Sequence, residues 1–154
     1  MAHIAALPNP QAYMELVWEI VRQVPEGQVT TFGQIASMIP PPEGMDERDY
    51  DRLAPRFVGD AMNAVSWKDE ATVPWHRVIN GKGGISLPPE SKPAALQRAR
   101  LRHEGALTDD SEMADLARLG WEGPPAAWLA GHGLRQPKPL RRPPDDKPQQ
   151  MALF

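Results

Sequence analysis

The sequence predicts a mainly α domain with short strands, organised around a helix-turn-helix-like pair and followed by an extended C-terminal tail. Three observations carry this. Apolar residues recur at helical spacing in separate stretches, each opened by a capping residue or a proline. Between the helices lie only brief non-helical apolar segments, Gln28-Val29-Thr30 and Ile85-Ser86-Leu87. From Pro124 onward the composition shifts to Pro, Arg, Lys, Gln and Asp with little periodicity. The expected organisation is one domain over residues 1–123 and a Pro-rich, flexible tail over 124–154, and no internal repeat is visible.

Asn9 before Pro10 reads as an N-cap with proline at the first helical position, and Tyr13, Leu16, Val17, Ile20, Val21 and Val24 then mark an amphipathic helix. Pro25-Glu26-Gly27 turns the chain, and Gln28-Val29-Thr30 crosses as an extended segment. Thr31 caps a second short helix through Ile39, which Pro40 to Pro42 stop. The following stretch to Leu53 is polar and acidic, and reads as an insertion over 40–53, a solvated loop or an exposed helical turn. Pro55 then opens a third helix, PRFVGDAMNAV, with Phe57, Val58, Ala61, Met62 and Val65 on its apolar side and Arg56 and Asn63 free to face elsewhere. The connection between these two helices exceeds the usual 3 to 4 residues of a helix-turn-helix. After the loop around Lys68 to Thr72 come PWHRVING and the glycine turn Gly81 to Gly84. Ser91 caps a basic helix through His103, with Gly105 as its stop.

The chain has no cysteine, which excludes a disulfide framework, cysteine-ligated metal and a thiol nucleophile. No residues suggest a metal site or a cofactor. No run approaches the roughly 18 apolar residues of a membrane span, and the opening MAHIAALPNP lacks signal-peptide character, so a cytoplasmic protein without membrane contact is expected. The net charge of −3 hides blocks of opposite sign: residues 43–53 carry −3, 54–103 carry +4, 104–123 carry −5 and 124–154 carry +3.

Taken in order, VTTFGQIA, RFVGDAM, PWHRVIN, GGISL and RHEG resemble the DNA-binding domain of the O6-alkylguanine-DNA alkyltransferases, over about residues 12–123. That family's active-site motif is Pro-Cys-His-Arg. Here it is Pro74-Trp75-His76-Arg77, which resembles the bacterial alkyltransferase-like proteins that carry tryptophan at the cysteine position. The resemblance implies a winged-helix or helix-turn-helix-like domain that enters the minor groove of double-stranded DNA, turns O6-alkylguanine out of the stack and marks it for nucleotide excision repair proteins. Indole nitrogen is a donor without a nucleophilic lone pair, so Trp75 cannot accept an alkyl group and no enzyme is expected. The family's histidine and glutamate fall on His76 and Glu104, and its asparagine after the recognition helix falls near Val65, where the hydrogen-bonding group is lost. Phe32 matches the aromatic residue that displaces the target's 3′ phosphate, without the tyrosine hydroxyl most relatives have, and Arg56 matches the arginine that fills the vacated stack. The resemblance puts the alkylguanine pocket at Trp75, His76, Arg77 and Val78. The basic block, with Arg77, Lys82, Lys92, Arg98, Arg100 and Arg102, is expected to supply phosphate contacts that weaken with salt.

Taken singly, these residues admit plainer readings. Phe32 suits a core aromatic, Arg56 a solvated helix arginine, and His76 with Glu104 a structural pair. Trp75 either lines the pocket or plugs it, and a plugged pocket leaves an architectural or regulatory DNA-binding protein. A third reading has His76 and Glu104 activating water for hydrolysis of the flipped base. Trp18, Trp67, Trp121 and Trp128 read as packing residues. In the tail, Gln150-Met151-Ala152-Leu153-Phe154 resembles the peptide that binds the bacterial sliding clamp through its glutamine and its apolar residues, Gln150, Met151, Leu153 and Phe154; the alternative is a C-terminus that folds back on the domain or does nothing.

Overall fold

The computed structural model describes residues 4–141. Helix α1, Pro10–Val21, begins as the sequence indicates: the Asn9 side chain accepts a hydrogen bond from the Ala12 N–H at 3.1 Å, a cap that contributes about 1 kcal/mol. Its face of Tyr13, Val17, Ile20 and Val21 is buried. Strand β1, Thr30–Thr31, leads directly into α2, Phe32–Met38, whose cap is the Thr31 hydroxyl accepting from Gln34 N–H at 3.0 Å.

The next helix corrects the sequence reading. Helix α3 runs Glu47–Asn63, so the acidic stretch after Met45 is the first part of that helix, with Tyr50 buried, rather than an inserted loop or a separate exposed turn, and Pro55 lies inside the helix rather than at its start. Asp46 caps it by accepting from Asp49 N–H at 2.8 Å, and Glu47 and Asp49 in the first turn complement the helix dipole. Tyr50, Ala54, Phe57, Val58 and Ala61 form one buried stripe through Pro55. Pro55 forgoes a single backbone donor, and the burial on either side holds the helix together. Tyr50 hydroxyl lies 2.7 Å from that of Tyr13, tying the acidic half of α3 to α1.

A 3₁₀ turn, Trp75–Arg77, delivers the chain into β2, Val78–Ile79, which pairs in parallel with β1, Thr30 opposite Val78 and Thr31 opposite Ile79. Helix α4 follows at Lys92–His103, capped by Ser91. Short helices α5, Leu116–Leu119, and α6, Ala126–Gly131, complete the described chain. One core lies among α1, α2 and α3; a second gathers Val29, Ile79, Leu101, Ala106, Leu107 and Ala114 between the strands and α4. No described helix is long and apolar enough to cross a membrane.

The boundary expected after residue 123 is also corrected. Residues 124–141 pack on the domain: Leu129 is buried, Trp128 and Leu134 lie against the core, and the segment beyond α6 is strapped along α2. Gln34, wholly buried, explains the strap. Its amide nitrogen donates to the carbonyls of Trp121 at 2.8 Å and Lys138 at 3.1 Å, and its oxygen accepts from the Thr30 hydroxyl at 2.6 Å. Gln150, Met151, Leu153 and Phe154 lie outside the described residues.

Candidate nucleic-acid interface

Helices α2 and α3 are the expected helix-turn-helix pair, joined by residues 39–46, and behind α3 the parallel strands bring the 3₁₀ turn against its C-terminal end. The result is a cleft of about 320 Å³ lined by Phe32, by Gly59, Met62 and Asn63 of α3, by Trp75 and Val78, and by Ser86, Leu87, Pro88 and Gln97. Phe32 occupies the first position of α2, half-buried, with its ring at both core and cleft. A second hollow of about 430 Å³ shares Met62, Asn63, Trp75 and Leu87 with the cleft and extends to Val65, Glu70 and Leu96. Trp75 therefore borders both hollows.

Trp75 is held in that position. The Arg100 guanidinium sits 5.6 Å from the centre of its ring, and Arg100 Nη2 donates to Glu70 at 3.1 Å. The guanidinium holds the Glu70 carboxyl below the usual carboxylate range, so the ion pair persists at neutral pH. Behind the tryptophan, His76 is buried, its Nε2 2.7 Å from Glu104 Oε2. Burial pushes the His76 imidazole below its ordinary range, and Arg77 and Arg100 act the same way against the pull of Glu104. The neutral ring then donates from Nε2 and leaves Nδ1 as a buried acceptor, which has no hydrogen-bond partner among the described residues.

Glu104 is the hub beneath the site. Burial opposes its ionisation, but donors from Arg77, from His76 and from the Gly27 backbone outweigh that cost and hold the carboxyl at about 2. Arg77 is consumed in this network: Nε and Nη2 donate to Glu104 at 3.0 and 2.7 Å, and Nη1 donates to the Val24 carbonyl at 2.8 Å. Arg77 thus lines neither hollow and is no surface cation, contrary to the sequence expectation, because three internal acceptors claim its fork. Of the expected pocket residues, Trp75 and Val78 line the cleft, while His76 and Arg77 support it from behind.

The turn that leads into the cleft residues Ser86, Leu87 and Pro88 is set by Asn80, whose side chain accepts from the Lys82 and Gly84 N–H groups at 2.9 and 3.0 Å. Gly83 in that turn has φ +98°, and a Cβ there would strike the Ala114 carbonyl, so glycine is required. Arg56 is exposed and lies three residues before Gly59 and seven before Asn63, on the face of α3 that borders the cleft; no hydrogen bond or ion pair engages it among the described residues. The basic block is partly neutralised: Arg102 pairs with Glu112 at 2.7 Å, Arg98 lies 3.9 Å from Glu112, and Arg100 pairs with Glu70. Lys82 and Lys92 remain exposed.

Sequence reasoning did not assign Asn63, Gln97 or the Arg100–Glu70 pair to the site. Gln97 is buried and donates to the carbonyls of His76 and Val78 at 3.2 and 3.1 Å, fixing the turn that carries Trp75. Its only signal was a polar residue on the inner side of α4. The Arg100–Glu70 contact joins residues 30 apart and leaves no local pattern.

A helix-turn-helix pair whose second helix walls a base-sized cleft, with an indole standing in it, defines a nucleic-acid-binding domain with a recognition pocket. The DNA-binding domain of the 6-O-methylguanine DNA methyltransferases matches residues 12–106, and the chain belongs to that family. Among curated relatives, the DNA base-flipping protein of Escherichia coli (strain K12) is 34% identical over 115 residues, spanning 75% of this chain and 78% of that protein. Alkyltransferase-like protein 1 of Schizosaccharomyces pombe is 38% identical over 89 residues, 58% of this chain and 71% of its own. The fold is similar to the crystal structure of S. pombe Atl1 in complex with damaged DNA containing O6-carboxymethylguanine, with 32% identity and a TM-score of 0.52 over 71% of this chain and 94% of that one.

Proposed function

We propose that this chain recognises O6-alkylguanine in double-stranded DNA by turning the nucleotide into the cleft beside Trp75, without transferring the alkyl group, and marks the site for nucleotide excision repair. The observation that carries the reading is Trp75 itself: an indole fixed by Arg100 and Glu70 and bordering open space, at the position that the motif resemblance assigns to a transferase's thiolate. The chain has no thiol for His76 to deprotonate, and His76 with Glu104 serves instead as a buried support for the turn that carries Trp75. Turning a base out costs a few kcal/mol, less where alkylation has weakened the pair, and stacking on an aromatic ring returns about 1 to 3 kcal/mol. The two quantities are close enough for the lesion to decide the outcome. Titration of duplexes differing only by O6-methylguanine against guanine tests this, with tighter binding of the lesion expected and equal affinity at matched salt refuting it.

Arg56 supports the same reading as an exposed guanidinium on the helix that walls the cleft. It stacks into the gap and pairs with the orphaned cytosine. Arg56→Ala is expected to lower lesion affinity about tenfold, the loss of one stacked or hydrogen-bonded group, with unchanged thermal stability; a lesion titration and a melting curve check both. An architectural binder with a plugged pocket is the second reading, and the open space bordered by Trp75 favours the first.

The C-terminal Gln150, Met151, Leu153 and Phe154 form a binding peptide for the bacterial sliding clamp in this proposal. Deletion of residues 150–154 is expected to abolish co-purification with the clamp and leave DNA affinity unchanged. A clamp complex that survives the deletion contradicts this.

A further inference from the structure

We infer that the strap after α6 is a second DNA-contacting element, in which Lys138 presents its ammonium to a phosphate flanking the helix-turn-helix unit; this rests on the DNA-binding reading above. The strap lies outside the residues the family match covers. It is built onto α2 by its backbone: Arg135 N–H donates to the Met38 carbonyl at 2.8 Å, Lys138 N–H donates to the Ser37 hydroxyl at 2.8 Å, and the Lys138 carbonyl accepts from buried Gln34 at 3.1 Å. Lys138 is thereby pinned while its side chain stays exposed, with no ion pair to it among the described residues. It borders a surface hollow of about 360 Å³ between the two helices, lined by Gly33, Ala36 and Ser37 of α2 and by Tyr50, Asp51, Ala54 and Pro55 of α3. Gly33 and Pro55 are the immediate neighbours of Phe32 and Arg56, so this hollow flanks the residues proposed to turn the base out.

Charge explains why a cation is needed there. Residues 43–53 carry −3, and a duplex approaching α3 meets that acidic flank. Residues 132–141 carry +3, from Arg135, Lys138 and Arg141. Arg135 is spent on Glu47, in two hydrogen bonds of 2.8 and 3.0 Å, and Arg141 donates to the Gly120 carbonyl. Asp51 faces the same hollow as Lys138 and opposes it. Lys138 is the cation of residues 132–141 whose side chain has no hydrogen bond or ion pair among the described residues, and the +3 of that segment offsets the −3 of the flank.

The test is a salt-dependent titration of the full chain and of Lys138→Ala, Lys138→Glu and Asp51→Asn on O6-methylguanine and guanine duplexes. Each neutralised phosphate contributes about 0.9 to the slope of log affinity against log salt. Lys138→Ala is expected to lower the slope by about that amount and weaken both duplexes equally, Lys138→Glu to weaken them further, and Asp51→Asn to tighten them, with the lesion preference retained throughout. Wild-type binding with unchanged affinity and slope in all three variants overturns the proposal alone. Failure of the wild-type chain to bind either duplex overturns it together with the reading on which it rests.

Discussion

Trp75→Ala is expected to erase the preference for alkylated over unmodified duplex while leaving the affinity for unmodified DNA within about twofold. The indole borders both the 320 and 430 Å³ hollows, and its removal leaves the half-buried Phe32 as the aromatic ring at the cleft, without the indole face on which a flipped base would stack. Base–aromatic stacking is worth roughly 1 to 3 kcal/mol, so lesion affinity is expected to fall between about fivefold and about 150-fold. Contacts to phosphate come from other residues and are untouched. The Arg100–Glu70 pair loses its aromatic surface but keeps its own hydrogen bond of 3.1 Å, so the site retains its shape around the missing ring. Trp75→Phe keeps a face for stacking and is expected to recover much of the preference. A Trp75→Ala protein that still prefers the lesion assigns the indole to plugging a relict pocket and favours the architectural reading.

The largest effect on stability is expected from Glu104→Gln. The carboxylate side chain is 8% exposed and ties together His76, Arg77 and the Gly27 N–H. Glutamine is nearly isosteric but cannot balance the Arg77 charge, which is 16% exposed. Breaking one side of a buried ion pair costs about 3 to 5 kcal/mol, a large part of the 5 to 15 kcal/mol that holds a typical domain. Denaturant unfolding followed by circular dichroism measures it, and a loss below about 1 kcal/mol contradicts the hub role. The same group sets the acid limit. With a folded value of about 2 against 4.5 for the free side chain, Glu104 contributes stability that is fully present above pH 4.5 and is lost as pH falls toward 2. His76 adds to this with the same sign, because its folded value lies below 6.5 and the unfolded chain takes up the proton first as pH drops. Wild-type stability is therefore expected to decline in two stages on acidification, and Glu104→Gln to lose the lower one.

The caps at Asn9, Thr31 and Ser91 were legible because each is a local signal, a short polar side chain followed by apolar periodicity, and each accepts the hydrogen bond its position implies. The acidic half of α3 was not. Glu47, Arg48, Asp49, Asp51 and Arg52 hide the fact that Tyr50 and Ala54 continue the stripe of Phe57, Val58 and Ala61 by three- and four-residue steps, and Pro55 looks like a beginning. Tertiary contact with Tyr13 overrides both signals. The strap was illegible for a different reason: its composition is that of a linker, and it is held by Gln34, Ser37 and Met38 of α2, about a hundred residues earlier. At the site, Phe32, Trp75 and Val78 stand together because the parallel strands and α2 align them, whereas Arg77 turned away from the cleft. A motif gives the residue types at a site but not which of two neighbours faces inward.

In the proposed function, recognition and repair are separated at position 75. A native mass measurement under competition tests both halves at once: limiting protein is mixed with equal amounts of O6-methylguanine and guanine duplexes of distinguishable mass, and the complexes are weighed over hours. The expected result is protein held mainly in the lesion complex, with both the protein mass and the lesion unchanged. Equal partition between the duplexes contradicts the recognition, and a protein heavier by one methyl group contradicts the loss of transfer.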